Sequence, residues 1–112
     1  MAIGKNTLIV HSLIATGALT QFRAVTGLGA IPAAGGRCLG VAATGGAIGE
    51  RVPVDIEGTS IGEAGAAVAV DAALELDASG RFITKTAGVA VARALSAASA
   101  AGQQIEVLLI AN

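Results

Sequence analysis

Val41-Ala-Ala-Thr-Gly-Gly-Ala-Ile-Gly-Glu-Arg-Val-Pro-Val-Asp-Ile56 decides how this chain is read. An apolar run enters a turn of small residues, Thr44 to Gly49. It leaves as an alternating strand in which Val52, Val54 and Ile56 interleave with Arg51, Pro53 and Asp55. A period of two marks a strand with one buried face. The same order returns at Ala94–Leu109. There Ala97-Ala-Ser-Ala-Ala-Gly102 forms the small-residue turn, and Ile105, Val107 and Leu109 alternate after it. Strand–turn–strand is therefore written twice, and neither copy has the look of a catalytic centre.

The echo extends outward. Gly27, Gly35 and Gly49 recur as Gly80, Gly88 and Gly102, each 53 residues later. Ala34/Ala87, Ala47/Ala100 and Val54/Val107 match at the same spacing. Backbone geometry places glycines, so shared glycine positions point to two similar β units, about 20–58 and 73–111. These lie in a β-rich domain over 19–112, with 1–18 as an N-terminal arm or first strand. The expected fold class is all-β, with at most one short helix, as a small barrel or sandwich.

At 112 residues the chain is one domain's worth. Seven basic and eight acidic residues give a net charge of −1, which makes no electrostatic case for nucleic acid or an anionic membrane. The lone Cys38 excludes an internal disulfide and fits a reducing compartment. Aromatic residues are 2% of the chain, too few for a typical ligand pocket or base-stacking platform. Hydrophobic residues reach 54%, but much of that is alanine, and charged residues are 13% against roughly 25% in ordinary soluble domains. Alanine buries little area, so a lone copy is expected to have a thin core and to rely on neighbouring subunits. That is the composition of an assembly component.

The longest uncharged stretch, Asn6–Phe22, is interrupted by polar residues and does not read as a membrane span. A secretory leader, with Lys5 ahead of apolar Leu8–Ile14, is disfavoured by its short core and by His11. Strands are expected at Thr7–Leu13, Gln21–Thr26, Arg37–Ala43, Val52–Glu57 and Val89–Ser96. Leu74–Leu76 and Arg81–Thr84 should form a hairpin around Asp77-Ala-Ser-Gly80. Glu63–Leu76 has alanine enough for a helix, but Gly65 and the alternation of Val68 with Val70 favour extended chain.

Motifs that hint at chemistry have plainer readings. Gly58-Thr-Ser-Ile-Gly62 fits the G-x-S-x-G elbow of hydrolases, yet the single histidine, His11, lies upstream of the serine rather than after it. A turn after the Val52–Glu57 strand is the expected role. Gly27-x-Gly29 has Pro32 where a dinucleotide fingerprint needs its third glycine, so a bulged turn is expected there. Asp77-Ala-Ser-Gly80 lacks the ligand series of a cation loop. His11 and Cys38 stand alone, without metal-ligand spacing. The carboxylates Asp55, Glu57, Glu63, Asp71, Glu75, Asp77 and Glu106 are expected on solvated faces or in intersubunit pairs. No catalytic, cofactor or metal residue is assigned.

The ordered series Cys38-Leu-Gly-Val-Ala, Gly49-Glu-Arg-Val-Pro-Val, Glu63-Ala-Gly-Ala-Ala-Val, Leu76-Asp-Ala-Ser-Gly-Arg and Leu95-Ser-Ala-Ala-Ser-Ala-Ala-Gly-Gln-Gln-Ile-Glu-Val resembles the capsid decoration, or cement, proteins of tailed phages. The resemblance spans roughly Leu19 to Leu109. It implies a small β-rich fold without catalysis or cofactor. It also implies a place on the virion surface, bound to the major capsid protein of an assembled head, often as a homotrimer. The alternative carried from the residues alone is a non-viral β-barrel module that binds a small ligand or a protein partner.

Overall fold

The computed structural model describes residues 3–112. It contains eight strands: β1 Thr7–Ile14, β2 Ala24–Val25, β3 Gly40–Ala42, β4 Arg51–Glu63, β5 Ala73–Leu76, β6 Phe82–Thr84, β7 Ala92–Ala94 and β8 Gln104–Leu109. No helix forms among the described residues. The strands run in the order β2-β3-β4-β8-β7-β5-β6, with β1 paired to β4 outside that path. Every strand pair is antiparallel. The sheet curls into a nearly closed barrel. A bridge between Ala64 and Phe82 and the Ala24 N–H to Gly80 carbonyl bond (2.8 Å) help draw its ends together.

β4 organises the molecule. Its first half pairs with β1 and β3, and its second half pairs with β8. Gly58–Gly62, expected as a turn, is thus the continuation of one 13-residue strand. A bulge makes this possible. The β1–β4 register slips twice opposite Gly58 and Glu57, and Gly58 sits at φ +91°, within the region that favours glycine. A side chain there would also stand 2.5 Å from the Asn6 carbonyl. Further along, Gly62 lies under Phe82; a Cβ would come within 2.7 Å of the ring.

The two halves repeat one hydrogen-bond scheme. In the first, Ala15 donates to the Glu50 carbonyl and accepts from Gly49 N–H; in the second, Ala64 does the same with Gln103 and Gly102. Phe22 N–H donates to Ala42 as Asp71 N–H donates to Ala94, and these two donors are the non-glycine residues with positive φ, at 68° and 70°. Leu19 bridges Gly46 as Val68 bridges Ala98. The second half of β4 therefore matches β1, and β8 matches the first half of β4. These frames open one strand earlier than the glycine-matched windows. The spacing also drifts, because the β5–β6 side is longer: Gly80 takes the turn role of Gly29, and both have positive φ.

Local departures from the expected strands have local causes. Gln21–Thr26 shortens to β2 because Phe22 turns left-handed. Only Ala73–Leu76 of the alanine-rich middle pairs as a named strand, and Val68 makes a lone bridge. The hairpin forms where expected, but Leu76 pairs with Phe82, so Arg81 joins the turn and the second strand starts one residue later than expected. Asp77 closes its turn by accepting from the N–H groups of Ser79 and Arg81, both at 2.9 Å.

The core is fuller than the alanine content suggests. The accessible surface is 5334 Å², against about 5,500 Å² for an ordinary monomer of this mass. Phe82, Leu74, Leu76, Ile105 and seven buried valines fill the interior. The thin-core expectation is therefore corrected: one copy buries a normal share of its surface.

Two carboxylates expected at the surface, Asp55 and Glu75, are buried instead. Asp55 sits mid-β4 at 1% exposure. Its Oδ2 accepts from Lys5 Nζ and from Ser60 Oγ, each at 2.7 Å, while Oδ1 is buried without a partner among the described residues. The ion pair holds the chain ahead of β1 against the strand shared by both halves. Lys5 is 38% exposed, which screens the pair, but removing it strands a buried carboxylate. Lys5→Met should cost about 1–3 kcal/mol in urea unfolding, and Asp55→Asn in the same background should recover part of that loss. Strictly additive losses would show that the two groups do not act as a pair.

Candidate docking face

The residues singled out for chemistry do not converge. Ser60 is buried, and its hydroxyl is spent on Asp55. His11 lies exposed on β1. Cys38 is buried, and desolvation pushes its thiol up to about 11 against a lowering hydrogen bond with Asn112, so it stays protonated and unreactive. No group of three or more His, Cys, Asp or Glu gathers for a metal among the described residues. No helix is long and apolar enough to cross a membrane.

What does converge is apolar surface. β1 uses one edge for β4 and leaves the other without a strand among the described residues. Of its eight residues, only Leu13 is buried. Leu8 is 75% exposed and Val10 55%, with Ile9 and Ile14 also open to solvent. Two turns gather at the end of this strand. Thr16 bonds the Leu28 carbonyl through Oγ1 and the Gly29 carbonyl through N–H, and Gly49 N–H bonds the Ala15 carbonyl. These bring the turns that carry exposed Leu28 and Ile48 to the residues that follow β1.

The matching positions of the second half show that this apolar character is not required by the fold. Leu8 corresponds to Glu57, Ile14 to Glu63 and Leu28 to Ser79. The same backbone scheme carries polar side chains at these three positions in one half and apolar ones in the other. A free edge of eight residues, without Pro or charge along it, is the kind of strand that soluble proteins usually cover or blunt. Sequence reading identified β1 but assigned each face a regular alternation; the signal it lacked was the absence of a layer outside the strand.

The third feature is a cleft of about 510 Å³ between the 33–36 and 86–88 loops, with Glu75 at its base. Glu75 Oε1 accepts from Thr86 N–H, from Thr86 Oγ1 (3.1 Å) and from Gly88 N–H (3.2 Å). The backbone N–H groups of Thr86 and Gly88 hold its carboxyl below the usual glutamate range, outweighing burial. The sign follows: this contribution to stability is complete above about pH 4.3, the ordinary glutamate value, and is lost as pH falls through the depressed native value. Amide protection factors at Thr86 and Gly88, corrected for the intrinsic exchange rate, should therefore fall on acidification below the ordinary glutamate range. Glu75→Gln should remove that pH dependence; acid-independent protection in the unaltered chain would contradict the assignment.

Comparison with known proteins adds to this geometry. No curated protein matches the chain at a significant level. The head fibre gp8.5 N base of bacteriophage phi29 is similar in structure, with a TM-score of 0.74 at 17% identity over 91% of this chain and 93% of that one. That likeness shows a shared fold. The sequence model for phage cement proteins matches residues 3–109, nearly the whole of this barrel, and the chain belongs to the phage cement protein family.

Proposed function

We propose that this protein binds the outer surface of an assembled phage head and stabilises it by bridging neighbouring major capsid subunits, acting as a homotrimer after synthesis in the host cytoplasm. The observation that carries the reading is the free, apolar β1 edge with Leu28 and Ile48 at its end. Family membership supports a capsid-associated structural role. Cement action needs shape and rigidity rather than chemistry. Each copy adds modest contact area across a seam, and symmetry multiplies that contribution over the particle. A strand edge offers backbone hydrogen bonds, while its side chains select the partner.

The alternative of a small-ligand barrel fares worse on the same coordinates. Lipocalin-like modules keep a ligand space inside the barrel. Here Phe82, Leu74, Leu76 and Ile105 occupy that space.

Binding to purified, expanded heads tests the proposal directly. β1 belongs to the barrel, so surface substitutions are better probes than deletion. The double variant Leu8→Lys/Val10→Lys exchanges exposed apolar groups for charges and should fold normally. Its affinity for heads should fall about tenfold to a hundredfold, the equivalent of two apolar side chains left uncovered. Occupancy equal to the unaltered chain would exclude β1 as the docking edge. Sedimentation of the free chain tests the trimer separately: a trimer mass supports assembly before docking, and a monomer mass at high concentration counts against it.

A further inference from the structure

We propose that the cleft over Glu75 is a receptor for one cationic side chain, lysine or arginine, presented by a protein partner, with Glu75 Oε2 as the anion that receives it.

Three observations carry this. Glu75 is 7% exposed, and every donor it holds sits on Oε1. Oε2 takes no hydrogen bond among the described residues and lies beside the two cleft glycines, 2.7 Å from the point where a Cβ on Gly88 would stand and 3.6 Å from that on Gly35, and Glu75 lines the cleft. Second, no basic nitrogen within the described residues pairs with Glu75. Lys85 turns its Nζ to the Thr86 carbonyl at 3.3 Å, Arg81 serves Asp77 and Glu63, Arg23 serves Glu63, and Arg93 reaches Asp71. Lys85 acts on Glu75 as a nearby charge without an ion pair, so Oε2 stays open to a charge-assisted partner.

Third, the walls suit a long cationic side chain. Ala34, Ala78, Ile83 and Ala87 line the cleft with apolar groups that would cover a methylene stem, and Asp77, already paired with Arg81, lines it alongside Glu75. The walls are also fixed in place. Gly35 N–H donates to the Leu76 carbonyl at 2.8 Å, and Val89 N–H donates to the Gly35 carbonyl at 3.0 Å, tying both loops to each other and to β5. Such a site reads charge and length rather than sequence. It lies in the 33–36 and 86–88 loops, so it is a contact separate from the β1 edge.

The test begins with the free chain and needs no phage head, so its outcome is independent of the proposed function. Backbone amide NMR shifts are followed while n-butylammonium, methylguanidinium or neutral n-butanol is added. Saturable shifts at Gly35, Ala87 and Gly88 with both cations, absent with n-butanol and reduced about tenfold in affinity in Glu75→Gln, are expected. Glutamine keeps an acceptor oxygen for Thr86 and Gly88, so the turn survives in the variant. No saturation up to about 100 mM, or equal shifts in Glu75→Gln, would overturn the site. The source of the cation is then assigned with the same variant. A lower sedimentation mass of the free chain identifies a second copy as the donor. An unchanged mass with reduced occupancy on heads identifies a capsid subunit. A variant that changes neither overturns the partner role.

Discussion

One strand serves two halves of this protein, and the rest of the architecture follows from that sharing. The first part of β4 closes one unit against β1 and β3, while the second part opens the next against β8. A continuous strand cannot hinge as a linker does, so the two units form one body. The bulge at Gly58 shifts the phase of the strand at the junction. Asp55 is buried just before it and is held by Lys5 from ahead of β1 and by Ser60 from beyond the bulge. Charge and backbone geometry thus fix the same point. A barrel pinned at its centre in this way is stiff, which is the property a capsid-associated structural protein requires.

Rigidity inside contrasts with asymmetry outside. The two halves share hydrogen bonds, left-handed residues and buried positions, yet differ in what they show to solvent. Glu57, Glu63 and Ser79 make one half ordinary surface, with Glu63 engaged by Arg23 and Arg81. Leu8, Ile14 and Leu28 make the matching places of the other half apolar. Since the fold tolerates either, the apolar set answers to something other than folding. Coverage by a partner is the physical reason that such a set can persist on an open strand. The overall area supports this distinction. A single copy is as well buried as an ordinary monomer, so the apolar side chains open on β1 do not reflect a general deficit of core.

The sequence by itself determined the class of fold and the hairpin. Alternation at Val52–Ile56 and at Ile105–Leu109, the turn at Asp77–Gly80 and the recurrent glycines all report local backbone constraints, and such constraints are written in neighbouring residues. It also carried the family resemblance and the plain reading of Cys38. Only the tertiary structure decided that Gly58–Gly62 is strand rather than turn, because a glycine in a bulge and a glycine in a turn look alike until the partner strand is known. Only it decided which carboxylates lie inside. Asp55 and Glu75 sit on alternating strands exactly as solvent-facing acids would, and their burial depends on Lys5, fifty residues away, and on the Thr86–Gly88 turn brought over by the barrel. The open edge was decided in the same way: exposure of β1 depends on what no other described segment covers, a relation between distant parts of the chain that no local pattern encodes.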